Sequence, residues 1–334
     1  MTKKKNKRII YLLLIVILLL ALLSFRFCGA EVVEPLDDGS KPAVALLEKK
    51  ILKRTDDQIH FTLHFTVLKD SKHAEEALKS ADVLIDSLKS PWIVFEQEEF
   101  DKVSLNKKES FTAVLLIDQS GSMSSNDRNN QRIAAARKFN ENFGQENYLM
   151  LWTFGGKGGK FRSYGEDFAK DTTFFEKSIE ELELVNPTGG SPLFKAQDSI
   201  LKYLDIHAPT KIKALVSLTD GVASGRADYH SAVATSLEKG IPLFNIGLVS
   251  DPKTLREQAL ETQGAYVHAG ETEQLLSVFG NLGSLIQGTS TVYQTEWSAH
   301  RRKGKFGKRG RIRHEMTILL PYGDTIRLPF EVEW

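Results

Sequence analysis

Apolar and polar positions follow two different patterns along this chain. Between residues 109 and 288, near-continuous apolar runs alternate with stretches whose apolar residues recur at helical spacing. In 46–108 and 289–334, apolar and polar residues mostly alternate one by one, as in strands with one buried face. The pattern predicts an α/β region with β-rich segments on both sides.

The central region alternates predicted strands with predicted helices. Strands buried on both faces of a parallel sheet need continuous apolar runs, which occur at 111–117, 148–154, 212–218, 242–249 and 265–268. Helical spacing predicts helices over 132–143, 172–184, 192–204, 231–239, 252–262 and 271–285. This order predicts a doubly wound, mostly parallel, Rossmann-like sheet, whose ligands gather at the carboxyl ends of the strands.

The flanking segments are predicted to form strands that pair with each other. Alternation marks strands at 59–67, 92–95, 292–298, 312–319 and 325–334. Alanine and leucine at helical spacing predict a helix over 74–88, although 83–85 also fits a strand. Because terminal strands need partners, we expect the strands after 288 to pair with those before 105. The prediction is a β-sandwich-like domain made of 46–108 and 289–334, with the α/β domain 109–288 inserted.

The amino-terminal residues indicate a membrane anchor. Basic residues crowd a predicted cytoplasmic segment, 1–8, and an apolar run, 9–25, follows within the predicted membrane segment 9–27. The run is at the short edge of what a spanning helix needs. The preceding charges predict that the folded part is extracytoplasmic, in the periplasm or at the cell surface. Cleavage after Ala30 and lipidation at Cys28 are the alternatives, and both also export the folded part.

Composition changes this picture little. A length of 334 residues allows roughly two domains. The formal net charge of +1 gives no overall attraction to nucleic acid, and none is predicted as a partner. Cys28 is the sole cysteine, so no disulfide can form within the chain. Residues 29–45 are polar and contain Pro35, Gly39 and Pro42, which predicts a linker.

The strongest chemical signal lies where the first central strand ends. The apolar residues of 114–117 run directly into Asp118-x-Ser120-x-Ser122. If the strand ends in a tight turn, alternate residues bring one carboxylate and two hydroxyls together. Such hard oxygen ligands suit Mg²⁺ better than zinc or copper. The bland interpretation, that these residues merely cap the following helix, accounts for the motif alone.

The motif resembles the start of the metal-ion-dependent adhesion site of von Willebrand factor A (vWA) domains, and the resemblance covers about 111–288. The family also has a threonine ahead of a helix, often in Gly-Gly-Thr-x-Leu followed by Ala, and an aspartate in Thr-Asp-Gly. Here Gly-Gly-Ser191-Pro-Leu ahead of Ala196 fits the first pattern, with serine in place of threonine, and Thr188 is a fallback. Asp220 fits the second.

The resemblance implies a Mg²⁺ site, which could also take Mn²⁺ or Ca²⁺, formed by Asp118, Ser120, Ser122, Ser191 and Asp220. Neutral hydroxyls leave much of the metal charge unneutralised, and Mg²⁺ keeps water positions that a partner's carboxylate can take. The predicted function is therefore binding of a protein ligand with an acidic side chain, and not catalysis. The alternative is an envelope scaffold in which the β domain carries recognition. A hydrolase is the weakest hypothesis, since no Gly-x-Ser-x-Gly motif is present.

Two other segments attract interest. The glycine-rich 155–160 lacks the spacing of a phosphate-binding loop and is interpreted as a hairpin tip beside the metal site. Residues 300–313 contain eight lysine and arginine residues between two predicted strands. They form either a solvated loop or a patch for anionic lipid or acidic glycan.

Overall fold

A computed structural model describes residues 40–334 apart from 71–76, 91, 105–108, 143–145, 157–159, 171, 222–225 and 321–322. The predictions for 1–8, 9–27 and Cys28, and for most of the linker, lie outside the described residues. None of the helices in the described part of the chain has the length and apolarity to cross a membrane.

The central region forms strands and helices in the predicted order. Its strands are β5 (Phe111–Gln119), β6 (Tyr148–Gly155), β7 (Lys160–Ala169), β8 (Ile212–Thr219), β9 (Leu243–Leu248) and β10 (Tyr266–Ala269). Its helices are α1 (Met123–Asn126), α2 (Gln131–Asn142), α3 (Thr172–Glu183), α4 (Leu193–His207), α5 (Arg226–Lys239), α6 (Lys253–Glu261) and α7 (Gln274–Ile286). Every residue of β5 is buried, as its apolar run predicts.

The flanks supply the remaining strands. They are β1 (Ala43–Arg54), β2 (Gln58–Leu68), β3 (Val83–Ile85), β4 (Ile93–Ser104), β11 (Thr291–Arg301), β12 (Arg311–Leu319) and β13 (Thr325–Glu333). Strand β11 pairs with β2 and β4, and β12 pairs with β3. The predicted pairing of the terminal strands with strands before residue 105 is therefore confirmed.

One ten-stranded sheet runs through both parts of the fold, in the order β4-β11-β2-β1-β10-β9-β8-β5-β6-β7. The strands from β10 to β6 are parallel to one another, and β7 is antiparallel. The fold is thus mixed α/β with a mostly parallel central sheet, covered by apolar cores on both faces. Strands β1, β2 and β11 share a third core with the smaller sheet β13-β12-β3. The sandwich is therefore not separate, because its larger layer continues into the parallel sheet.

The structure corrects two predictions. Over 80–88 there is no α-helix, but two short 3-10 turns on either side of β3. Val83 and Ile85 are buried while Leu84 is exposed, and this period of two is that of a strand. The predicted linker 29–45 extends too far, because β1 begins at Ala43 and its first four residues are buried. No strand was predicted at β1, and of β7 only the hairpin tip that leads into it was predicted.

Candidate metal centre

The candidate site forms where β5 ends against its neighbour β8. Asp118, the eighth residue of β5, is fully buried. Its Oδ1 accepts a hydrogen bond of 2.7 Å from the Ser120 amide, and its Oδ2 accepts one of 2.6 Å from the Thr219 hydroxyl at the end of β8. Since β5 and β8 are parallel, their carboxyl ends meet at one edge of the sheet. The structure confirms that Asp118 and Asp220 lie at this edge.

Burial dominates the electrostatics of Asp118. Desolvation raises the pKa of the Asp118 carboxyl above its ordinary value, and the hydrogen bonds from Ser120 and Thr219 offset only part of that rise. The neighbouring Asp220 raises the same pKa slightly further. Both effects penalise negative charge here, and a bound cation would relieve the penalty.

Two hydroxyls connect the turn to Asp220. The Ser120 and Ser122 hydroxyl oxygens lie 3.2 Å apart, and the Ser122 hydroxyl donates to Asp220 Oδ1 at 2.8 Å. Asn126, at the end of α1, donates its side-chain amide to Asp220 Oδ2 at 3.0 Å. Four predicted ligands therefore share one hydrogen-bonded cluster. Asn126 was not predicted, since an asparagine on a helix carries no distinctive signal.

The loop before α4 packs closely against the turn. The Gly121 amide donates to the Gly189 carbonyl at 3.1 Å, and the Thr188 amide donates to the Gln119 carbonyl at 2.8 Å. Gly189 has a φ of +80°, and a Cβ there would lie 1.8 Å from the carbonyl oxygen of Gly156. Only glycine permits this approach. Gly156 follows β6, so the β6–β7 hairpin lies beside the site, as predicted from the glycines.

The fifth predicted ligand, Ser191, differs from the other four. Its hydroxyl oxygen is buried and has no hydrogen-bond partner among the described residues. A buried hydroxyl without a partner is costly and calls for an explanation such as an ion or a water. No hydrogen bond in the described part of the chain joins Ser191 to the other four predicted ligands, but its loop touches the turn through Gly189. Thr188, the fallback ligand, is an exposed residue.

A buried ion pair fixes the chain just after the site. Asp127 accepts hydrogen bonds from the amides of Gln131 and Arg132 at the start of α2, and from Arg132 Nη1 at 2.6 Å. Both side chains of this pair are almost completely buried. The Arg132 guanidinium also reaches the side chain of Gln119 at 3.4 Å. The pair therefore connects both sides of the turn. An aspartate ahead of a helix could have indicated the cap, but not its buried arginine.

The donor set fits a hard divalent cation. Hydroxyl and carboxylate oxygens are the ligands of Mg²⁺ and Ca²⁺, and the cluster presents them without a thiol or imidazole. The unpartnered Ser191 hydroxyl is a further oxygen acceptor on the loop that contacts the turn through Gly189. The arrangement is thus an oxygen-lined site at the carboxyl edge of a mostly parallel α/β sheet.

Several solved structures resemble the chain at low identity. A von Willebrand factor type A structure from Catenulispora acidiphila is 14% identical, with a TM-score of 0.44 over 89% of this chain and 74% of that one. The ArnB paralog VWA2 from Sulfolobus acidocaldarius is 12% identical, with a TM-score of 0.40 over 87% and 75%. The PilB minor pilin from Streptococcus sanguinis is 14% identical, with a TM-score of 0.44 over 73% and 78%. No protein-family model and no curated protein matches the sequence.

Proposed function

We propose that this protein is a membrane-anchored, extracytoplasmic vWA-type binding protein that captures an acidic group of a protein ligand through Mg²⁺. The observation that carries the proposal is the hydrogen-bonded cluster of Asp118, Ser120, Ser122 and Asp220, together with the unpartnered hydroxyl of Ser191 on the loop that contacts the turn through Gly189. Mn²⁺ or Ca²⁺ would satisfy the same oxygens.

In this proposal the neutral hydroxyl oxygens and the charged carboxylate oxygens have different roles. Ser120, Ser122 and Ser191 would hold the cation directly or through its waters. Asp118 and Asp220 would orient those hydroxyls and balance part of the charge. Because the hydroxyls are neutral, the cation would keep affinity for a carboxylate from a partner. This division favours capture of a ligand over bond cleavage, and we propose no enzymatic activity.

Cation binding by the full chain in detergent is the direct test. Mn²⁺ is the probe, followed by its paramagnetic resonance signal, and Mg²⁺ should compete for the same site. Asp118→Ala and Asp220→Ala should each weaken Mn²⁺ binding about a hundredfold or more, since each removes a charged oxygen partner. Asp101→Ala, on the edge strand β4, is the matched control and should bind normally. Equal Mn²⁺ binding by the parent protein and all three variants would contradict the proposal.

Partner capture separates ligand binding from the scaffold hypothesis. The full chain is incubated with native envelope, crosslinked, and purified with Mg²⁺ or with a chelator. A partner that is lost with the chelator and with Asp118→Ala supports the proposal. A partner that survives both treatments would assign recognition to the β strands instead.

The anchor needs a test of its own. In membranes from cells that make the full chain, alkaline carbonate should not extract the protein, because 9–25 is expected to span the bilayer. Protease added from outside should digest 40–334. Extraction by carbonate, or protection from protease, would contradict the proposed localisation.

A further inference from the structure

A strongly basic surface lies at one end of the sandwich. It gathers the end of β1, the β1–β2 turn, the residue before β4, the end of β11 and the β11–β12 loop. We call this surface the basic end. It carries Lys53, Arg54, Arg301, Arg302, Lys303, Lys305, Lys308, Arg309 and Arg311, against the carboxylates of Asp56, Asp57 and Glu333. Because β1 runs antiparallel to β10, this end lies away from the metal site.

A buried apolar residue, Phe306, fixes the β11–β12 loop of the basic end, so this loop is not merely solvated. Phe306 is only 4% exposed, its ring lies 5.3 Å from that of Trp334, and its amide donates to the Asp56 carbonyl at 2.6 Å. The next carbonyl, that of Gly307, accepts from Trp334 Nε1 at 3.0 Å and from Arg54 Nη2 at 2.5 Å. The loop backbone is therefore fixed on both sides of the buried ring.

Most cations of this loop are exposed and unneutralised. Lys305 pairs with Asp56 at 3.0 Å. In the described part of the chain, Arg302, Lys303, Lys308 and Arg309 are exposed and form no ion pair. Like charges held close together by a fixed backbone repel one another. This repulsion destabilises the free protein, and binding to a negatively charged surface would offset it.

Exposed apolar side chains accompany these charges. Trp92 is 65% exposed, and its carbonyl accepts a hydrogen bond of 3.0 Å from the Arg302 amide. Leu52, two residues before Arg54 on β1, is 46% exposed. An exposed tryptophan among cations is the composition that settles at the boundary between lipid headgroups and acyl chains. A soluble polyanion would neutralise the cations but would give these side chains no apolar medium.

We infer that the basic end binds the surface of an anionic lipid bilayer, with Arg302, Lys303, Lys308 and Arg309 at the headgroups and Trp92 at the interface. The surface is independent of the proposed cation site. It would hold the sandwich against a membrane while the opposite edge of the large sheet remains available to a ligand.

Vesicle capture tests this inference. The full chain is held in nanodiscs of neutral phosphatidylcholine and mixed with sucrose-loaded vesicles that can be pelleted. Vesicles with about 30% phosphatidylglycerol should capture the nanodiscs, and vesicles of pure phosphatidylcholine should not. Replacing the four cations Arg302, Lys303, Lys308 and Arg309 with glutamine should weaken capture at least about a hundredfold, and it should flatten the dependence on salt. Trp92→Ala should weaken capture severalfold with the salt dependence kept.

A matched variant controls for total charge. Glutamine at four other exposed lysines, Lys102, Lys160, Lys177 and Lys211, should leave capture within about twofold, since each lies away from the basic end. Circular dichroism checks that every variant is folded. Undiminished capture by the four-cation variant or by Trp92→Ala would overturn the inference. So would binding of soluble dextran sulfate without capture of phosphatidylglycerol vesicles, which would identify a site for soluble polyanions.

Discussion

The candidate metal site and the basic end present charge in opposite ways. At the candidate metal site Asp118, Ser120 and Asp220 are buried, and the backbone comes close enough around them to require glycine at 189. At the basic end the charges are exposed, and a buried aromatic ring holds the backbone beneath them. A buried site would select a small ion by geometry, whereas an exposed one would select a large charged surface by its total charge. The two should therefore respond to different mutations.

The largest expected effect tests whether the two regions unfold together. Phe330 is fully buried in the sandwich core, with its ring 5.6 Å from that of Phe61. Phe330→Ala should lower the free energy of unfolding by about 3–5 kcal/mol. Because one sheet runs through both regions, urea unfolding should stay a single transition, while Mn²⁺ affinity of the folded protein stays unchanged. Leu319→Ala, on the exposed face of β12, is the control, with a loss of about 0.5 kcal/mol or less. Two separate transitions would mean that the regions are independent.

Acid should weaken the contact between α6 and the sandwich. Glu331 is buried; burial alone would raise its pKa, but the ion pairs with Lys253 and Arg313 outweigh that and lower the pKa to about 2 from an ordinary 4.5. A carboxyl whose pKa is lowered on folding stabilises the protein above its unfolded value and loses that contribution as pH falls. Up to about 3 kcal/mol of unfolding free energy should thus disappear between about pH 4.5 and pH 2.

Glu331→Gln provides the comparison for this acid effect. The variant should be less stable than the parent protein at pH 6, and the difference should shrink toward pH 2. Chemical unfolding at a series of pH values measures it. A difference that is constant with pH would show that Glu331 contributes through packing and not through charge.

The close approach of two loops at the candidate metal site gives a smaller effect. Gly189→Ala places a Cβ against the Gly156 carbonyl at a positive φ, so we expect a loss of about 1–3 kcal/mol in stability. The displaced loop should also weaken Mn²⁺ binding about tenfold. Gly190→Ala is a matched control, because its Cβ would meet no atom within 4 Å. If both variants bind Mn²⁺ normally, the loop does not position a ligand.

The smallest effect concerns Ser191, the residue for which the resemblance to vWA domains implies a threonine. Ser191→Thr keeps the hydroxyl and adds a methyl group, so Mn²⁺ affinity should stay within about threefold. Ser191→Ala removes the hydroxyl and should weaken Mn²⁺ affinity about tenfold. If the alanine variant binds as well as the threonine variant, Ser191 is not a ligand, and Thr188→Ala becomes the next variant to measure.

These sites differ in how far sequence could predict them. A buried strand running into Asp118-x-Ser120-x-Ser122 predicts both the turn and its oxygens, because adjacent residues carry the signal. The burial of the Ser191 hydroxyl and of the Asp127–Arg132 pair depends on packing against other segments, which no local pattern contains.

The limited reach of local sequence patterns also explains the errors in the predicted fold. Strand β1 is buried on both faces at Ala43–Leu46 and then alternates, so neither strand pattern fits its whole length. Residues 80–88 have helical spacing, but pairing with β12 outweighs that local preference at β3. Strand β7 pairs with β6 in an antiparallel hairpin, and its apolar and polar residues show no clear alternation.

The connections between the sandwich and the α/β region have a consequence for the architecture. Ser104, the last residue of β4, is paired with Thr291, the first residue of β11, so the chain leaves the sandwich and returns to it at neighbouring points. Strands β4 and β11 are antiparallel, and a tight turn between those two residues would complete an ordinary hairpin. In topological terms the whole α/β region is one large loop of that hairpin. A foreign domain with adjacent termini could be grafted at the same place.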